Sequence, residues 1–236
     1  RRSCRTSRAD AVGGAVGLRT TNRFVLGGTG DFDLLGRTWM YDFYANLGRT
    51  FGHTYTHGAR NVANYNLALD AVRDPATGAI VCRSTLTNPN NGCVPYNVFG
   101  TGVLDPNARN YVLGRPWGDN NLAENVVAGT LRGDPFSTWA GKVSIATGFE
   151  RREESVSGSN DPLATTNSYF AANYKPTFGS YTVTEGFFET VVPLLQDSPL
   201  GTSLNFNGGV RVADYSTSGS ATTWKTGLDY TPVEDF

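Results

Sequence analysis

The chain has 236 residues, of which 17% are charged, 12% are aromatic and 28 are glycine, a profile unlike a soluble α/β enzyme and suited to an all-β protein. Its formal net charge of −1 supplies no basic field that would hold phosphates by counterion release, so no nucleic acid partner is expected. No apolar run approaches the roughly 20 residues of a transmembrane helix, and Arg1-Arg2-Ser3-Cys4 lacks the apolar core of a signal peptide. The chain is therefore either soluble or crosses a membrane as strands.

Period-two alternation predicts strands near 23–32, 39–51, 121–134, 141–157, 180–195, 203–215 and 221–231. In the second of these, Trp39, Tyr41, Phe43, Ala45 and Leu47 fall on one face, and Met40, Asp42, Tyr44, Asn46 and Gly48 on the other. Val143, Ile145 and Phe149 against Lys142, Ser144, Gly148 and Glu150 repeat the scheme, as do Leu204, Phe206, Val210 and Val212 against Asn205, Asn207 and Arg211. Alternation alone suits a β-sandwich as well as a membrane barrel. The connections add to it, with short ones expected at 33–38, 135–140, 196–202 and from 232, and long ones at 5–22, 53–120 and 158–179. Outer-membrane barrels carry short turns on one rim and long loops on the other, with Ser216-Thr217-Ser218-Gly219-Ser220 as a short exception here. Strands such as 39–51 and 141–157 exceed the usual globular length and match the 9 to 11 residues, with overhang, that cross a bilayer. Trp39, Phe51, Trp139 and Trp224 are expected near strand ends, as interfacial girdles or as core aromatics.

Within 53–120, short helices are expected at 60–72 and 105–113, the second opened by Asp105-Pro106, an N-cap followed by a first-turn proline. Cys82 and Cys93 bracket a segment rich in Asn, Pro and Gly. They read as a disulfide in an oxidising compartment, a ring worth about 3 kcal/mol by loop entropy, the alternative being two free thiols in a cytosolic loop. Their spacing is not that of a zinc site, and Cys4 is left over.

Three blocks carry a resemblance. Gly133-Asp134-Pro135-Phe136-Ser137-Thr138-Trp139-Ala140-Gly141-Lys142-Val143, continued by Ala146, Gly148, Glu150, Arg152 and Glu154, resembles a hairpin of TonB-dependent receptors of the large proteobacterial branch. Thr138-Trp139 stands where that pattern has Leu-Pro, and Arg151 where it has Tyr. Glu185-Gly186-Phe187-Phe188-Glu189 leading to Pro193-Leu194, and Asp214-Tyr215-Ser216 followed by Trp224-Lys225-Thr226-Gly227-Leu228, are similar to the next elements of the same family. The resemblance spans about 23–236 and implies an antiparallel transmembrane β-barrel segment of about 7–8 strands from a barrel of about 22, in the bacterial outer membrane. The plug domain and the segment that engages TonB are expected to lie elsewhere. The implied function is active uptake of a siderophore, cobalamin or oligosaccharide. A passive porin and a secreted β-sandwich binding module are the alternatives.

Glu185 and Glu189 share a face about 13 Å apart, too far for glycosidase carboxylates, and are expected to pair with neighbouring strands. His53 and His57 lack a third metal ligand nearby and read as polar contacts. Arg151, Arg152, Glu153 and Glu154 read as a solvated strand end. Asn97, Phe99, Arg115, Trp117 and Asp119 offer the amide, aromatic and charged groups of a loop ligand site. No nucleophile elbow, P-loop or dinucleotide fingerprint occurs. Neither enzymatic activity, a cofactor nor a metal is expected.

Overall fold

A computed structural model describes residues 14–99 and 105–233. Cys4 and the first part of the expected 5–22 connection lie outside them. The protein is all-β, with 67% of residues in strands and 11% in helices. Its strands in chain order are β1 (Ala15–Leu34), β2 (Arg37–Thr56), β3 (Ala59–Arg60), β4 (Ala71–Arg73), β5 (Ile80–Cys82), β6 (Leu113–Gly114), β7 (Trp117–Thr138), β8 (Gly141–Asn160), β9 (Phe178–Ser198), β10 (Gly201–Tyr215) and β11 (Gly219–Thr231). The helices are α1 (Val62–Leu69), α2 (Pro106–Val112) and α3 (Pro162–Thr165).

Seven of these strands form one antiparallel sheet in the order β1-β2-β7-β8-β9-β10-β11. Apart from the insertion between β2 and β7, this is an up-and-down meander, the topology that short hairpin turns dictate. Every strand expected from alternation is present and longer than expected. In β2 the apolar stripe fades after Leu47, yet Thr50, Thr54, Tyr55 and Thr56 keep the backbone extended through their β-preferring side chains. The long connections shrink accordingly: β1 begins at Ala15, not after residue 22, the 53–120 connection loses its ends to β2 and β7, and the 158–179 connection loses its ends to β8 and β9. Phe51 and Trp224 accordingly sit inside their strands and not at the ends.

The chain divides into two compact units. One comprises Thr21–Arg49, Leu122–Val156 and the residues from Gly179 onward; the other comprises the residues up to Thr20, Thr50–Asn121 and Ser157–Phe178.

The first unit is pleated sheet with two-residue turns at 35–36, 139–140 and 199–200 and a three-residue turn at 216–218. Leu35 and Gly36 both have positive φ, 56° and 69°, the left-handed pair that matches hairpin twist. Aromatic rings lie directly over cross-strand glycines. A Cβ on Gly30 would stand 2.6 Å from the Tyr41 hydroxyl, and one on Gly133 would stand 2.9 Å from the Trp39 ring. Glycine at these positions seats the ring flat on the neighbouring backbone.

Between β9 and β10 the register slips, with Leu204 facing Leu195 and Asn205 facing Pro193, so that Leu194 bulges out. Proline has no N–H to give to a ladder and is tolerated at such a bulge. The preceding hairpin satisfies the carbonyls left over: Trp139 Nε1 donates to the Leu194 carbonyl at 3.0 Å and Thr138 Oγ1 to the Pro193 carbonyl at 3.0 Å. Thr138 and Trp139 thus bind the Pro193-Leu194 step of β9. Replacing Trp139 with Phe keeps the ring and removes the donor, so the urea midpoint followed by far-ultraviolet circular dichroism should fall by about 1 kcal/mol equivalent. An unchanged midpoint would show that the bond contributes nothing.

Candidate functional site

The sheet of the Thr21–Arg49, Leu122–Val156 and Gly179 onward unit has two chemically opposed faces. Side chains on the same side of neighbouring strands meet, as Tyr41 does over Gly30 and Trp39 over Gly133, which joins the alternate residues of each strand into faces. One face carries Phe24, Leu26, Phe32 and Leu34 of β1, Tyr41, Phe43 and Leu47 of β2, Val127 and Leu131 of β7, Val143, Ile145 and Phe149 of β8, and Phe188 of β9. It continues through Leu204, Phe206, Val210 and Val212 of β10 and Trp224, Leu228 and Tyr230 of β11. Of these, Phe24 is 62% exposed, Phe43 52% and Trp224 75%. Between Phe24 and Leu34, Trp39 and Leu47, Val127 and Ser137, Gly141 and Phe149, Ser180 and Leu194, Leu204 and Val212, and Ser220 and Tyr230, this parity holds no Asp, Glu, Lys or Arg.

The opposite face collects the charges and pairs several of them. Arg23 Nε donates to Asn46 Oδ1 at 2.6 Å, and Asn46 Nδ2 donates to Glu124 Oε1 at 2.7 Å. The buried Asn46 amide therefore links a guanidinium to a carboxylate across three strands. Arg152 lies between Glu150 at 3.4 Å and Glu154 at 3.1 Å. Glu185 meets Arg211 of the neighbouring β10 at 3.6 Å, whereas Glu189 reaches over Gly209 of β10 to meet Lys225 of β11 at 3.1 Å. Asn207 donates to Asp229. These pairs are partly exposed, where ion pairs contribute little to stability; what they establish is a wet, polar surface.

The other unit holds the expected loop-site residues. Arg115 stacks on the Tyr55 ring at 3.8 Å, and Tyr55 makes ring contacts with His53 at 5.5 Å and His57 at 4.9 Å. Asp119 Oδ1 lies 2.5 Å from His53 Nδ1. Arg115 and Asp119 are thus brought together through the β2 rings, while Trp117 engages through its backbone carbonyl, which accepts from Asp161 N. Asn97 and Phe99 stand apart: the Asn97 side chain accepts from Phe99 N at 2.9 Å, and the Phe99 ring is 83% exposed. Cys82 and Cys93 form a disulfide with Cα atoms 6.1 Å apart, which ties β5 to the segment that follows the 3₁₀ turn Arg83–Leu86. Among the described residues no group of three or more His, Cys, Asp or Glu is placed to hold a metal ion.

Helix capping orders these loops. Asp105 accepts from Asn107 N at 2.8 Å ahead of Pro106, as the sequence predicts. Asp161-Pro162 repeats that signal and opens the unexpected α3, with Asp161 Oδ1 accepting from Leu163 N at 2.9 Å. Its other oxygen accepts from the buried Tyr169 hydroxyl at 2.9 Å. Tyr169 packs with Ala59, Ala164 and Tyr174 and covers Gly114, where a Cβ would stand 2.5 Å from its ring. Arg60 is held between the rings of Tyr65 at 4.5 Å and Phe170 at 4.4 Å.

Burial and the Asp161 carboxylate together push the Tyr169 phenol up from 10.0 to about 12, because both disfavour a second negative charge there. A raised folded value means that its stabilisation is complete below pH 10.0 and is lost as pH rises toward about 12. Tyr169→Phe should remove this alkaline step from the stability profile and should leave one fewer late-titrating phenol by ultraviolet absorbance. An alkaline step that survives the substitution would assign it to another group.

Comparison of this chain with protein-family models, curated proteins and solved structures finds no match.

Proposed function

We propose that this chain is part of the wall of a TonB-dependent receptor in the bacterial outer membrane, an active transporter that admits a siderophore, cobalamin or oligosaccharide. The observation that carries this reading is the charge-free face. Water does not require a sheet face to exclude every ionised side chain, whereas hydrocarbon does, since an arginine at the bilayer midplane costs about 2–4 kcal/mol.

The dimensions agree. Trp39 to Leu47 spans about 26 Å at 3.3 Å per residue, and tilted strands cross a bilayer with 9 to 11 residues. A soluble protein would cover so wide an apolar face with a second layer. A β-sandwich would use a second large sheet, but among the described residues the only other sheets are two-stranded. The polar face suits the wall of an aqueous lumen, where a solute passes.

The sheet order ends at β1 and β11 without joining them. Unpaired strand edges in lipid cost several kcal/mol per group, so this reading requires further strands to complete the wall; the resemblance implies about 22 in all. The plug and the coupling to TonB come from the same resemblance, carried by the 133–154, 185–194 and 214–228 blocks. The solute is expected to be engaged by the long connections at Thr56–Trp117 and Asn160–Phe178, through groups such as Asn97 and Phe99.

Adjacent residues separate this reading from a soluble one. Phe43→Arg places a charge on the apolar face and Asp42→Arg places one on the polar face. In cells, Phe43→Arg should abolish the detergent-extracted, heat-modifiable band of the outer-membrane fraction, and Asp42→Arg should preserve it. Equal behaviour of the two, with the protein recovered without detergent, would refute the membrane assignment.

A further inference from the structure

Two asparagines of this chain precede a glycine, Asn91 before Gly92 and Asn207 before Gly208. Such a step can rearrange without an enzyme, because the glycine nitrogen attacks the side-chain amide and no Cβ on glycine hinders its approach. The fold treats the two steps differently. We propose that Asn91 is a site of spontaneous conversion to aspartate and isoaspartate, and that Asn207 is protected from it, an inference that does not depend on the membrane reading above.

Asn91 lies inside the ring closed by Cys82 and Cys93. Its Oδ1 accepts from Cys93 N at 2.9 Å. Because that bond spans Gly92, it folds the amide carbon back over the Gly92 peptide and holds the two reacting groups together, which lowers the entropy cost of attack. Asn91 Nδ2, the leaving amine, donates to Ser84 Oγ at 2.9 Å. Gly92 N donates to no group among the described residues, and Gly92 is exposed with open space where a Cβ would stand. Its proton is therefore open to base. Gly208 is the contrast: it lies in β10 between Thr190 of β9 and Thr226 of β11, where the ladder engages its N–H. The Asn207 side chain donates to Asp229 of β11 and is turned toward that strand.

The reaction needs only water. Hydroxide removes the Gly92 N–H proton, the nitrogen bonds to Asn91 Cγ, and Nδ2 leaves as ammonia with a proton from water. A second water opens the five-membered imide at either carbonyl. One opening gives aspartate; the other gives isoaspartate, which carries Cβ in the main chain. Either product adds a negative charge and lacks the amine that donates to Ser84. The isoaspartate also lengthens the main chain inside the disulfide ring and breaks the turn to Cys93 N, which leads on to Asn97 and Phe99.

The test incubates the full purified chain, folded and unfolded in urea with the disulfide intact in both, in heavy-oxygen water at mildly alkaline pH. Digestion and mass spectrometry then read each asparagine. In the folded chain the Asn91 peptide should gain mass and split into two chromatographic products, at a rate equal to or above that in urea. The Asn207 peptide should convert in urea only. Asn91→Gln should lose the mass gain at that position, since its longer side chain would have to close a six-membered ring. Slower conversion of Asn91 in the folded chain than in urea overturns the proposal, because the loop would then protect the amide. Equal conversion of the two asparagines in the folded chain overturns it as well, because the fold would then select neither.

Discussion

Backbone pairing across a single wide sheet is the constraint from which the rest of the structure follows. Seven antiparallel strands satisfy one another's N–H and C=O groups without help from a core. Side chains are then released to serve the medium on each face. The few fully buried side chains are small or medium, such as Val112, Cys82 and Asn46, so the sheet is held by its ladder and by cross-strand packing. Rings laid over Gly28, Gly30, Gly129 and Gly133 do part of that packing. At the Pro193 and Leu194 bulge, where the ladder fails, a hydroxyl and an indole N–H from the preceding hairpin replace the missing donors.

Separate solutions for the two faces follow from that pairing. On the polar face Glu185 meets Arg211 on the next strand, Glu189 reaches Lys225 two strands away, and the Asn46 amide joins Arg23 to Glu124 over three strands. On the apolar face charge is excluded from Trp39 to Leu47 of β2 and from Gly141 to Phe149 of β8, and Arg49 and Arg151 are the next residues on that side. The Thr50–Asn121 and Ser157–Phe178 segments are organised differently, by caps, a disulfide and stacked rings. Asp161 there serves two roles, capping α3 with one oxygen and accepting from Tyr169 with the other.

Much of this was legible in the sequence because strand periodicity is a local property. Trp39 through Gly48 declare both faces without reference to any partner, and the same holds for the 142–150 and 204–212 runs. Strand ends were less legible, since threonine-rich stretches such as Thr50–Thr56 extend a strand by backbone pairing once the apolar stripe has ended. Asp161-Pro162 carried the same cap signal as Asp105-Pro106 and was readable in principle; its helix is only Pro162–Thr165. Cross-strand partners such as Asn46 and Glu124, or His53 and Asp119, lie 78 and 66 residues apart in sequence and depend on register. The alternation identifies their face but not which residue stands opposite. The ring stack of His53, Tyr55, His57 and Arg115 was likewise hidden, because Arg115 precedes β7 and reaches Tyr55 only when β7 lies beside β2.

The central claim, that one face of this sheet meets hydrocarbon and the other water, is tested most directly by spin labels along β2. Single cysteines would be placed in turn at positions 41 to 47 of the full chain reconstituted in bilayers, with Cys4 replaced by Ser. Accessibility to oxygen and to a water-soluble nickel chelate would then be compared by electron paramagnetic resonance. The account predicts alternation, with labels at 41, 43, 45 and 47 reached by oxygen and those at 42, 44 and 46 reached by the chelate. Uniform accessibility to the chelate at every position would place both faces in water and contradict it.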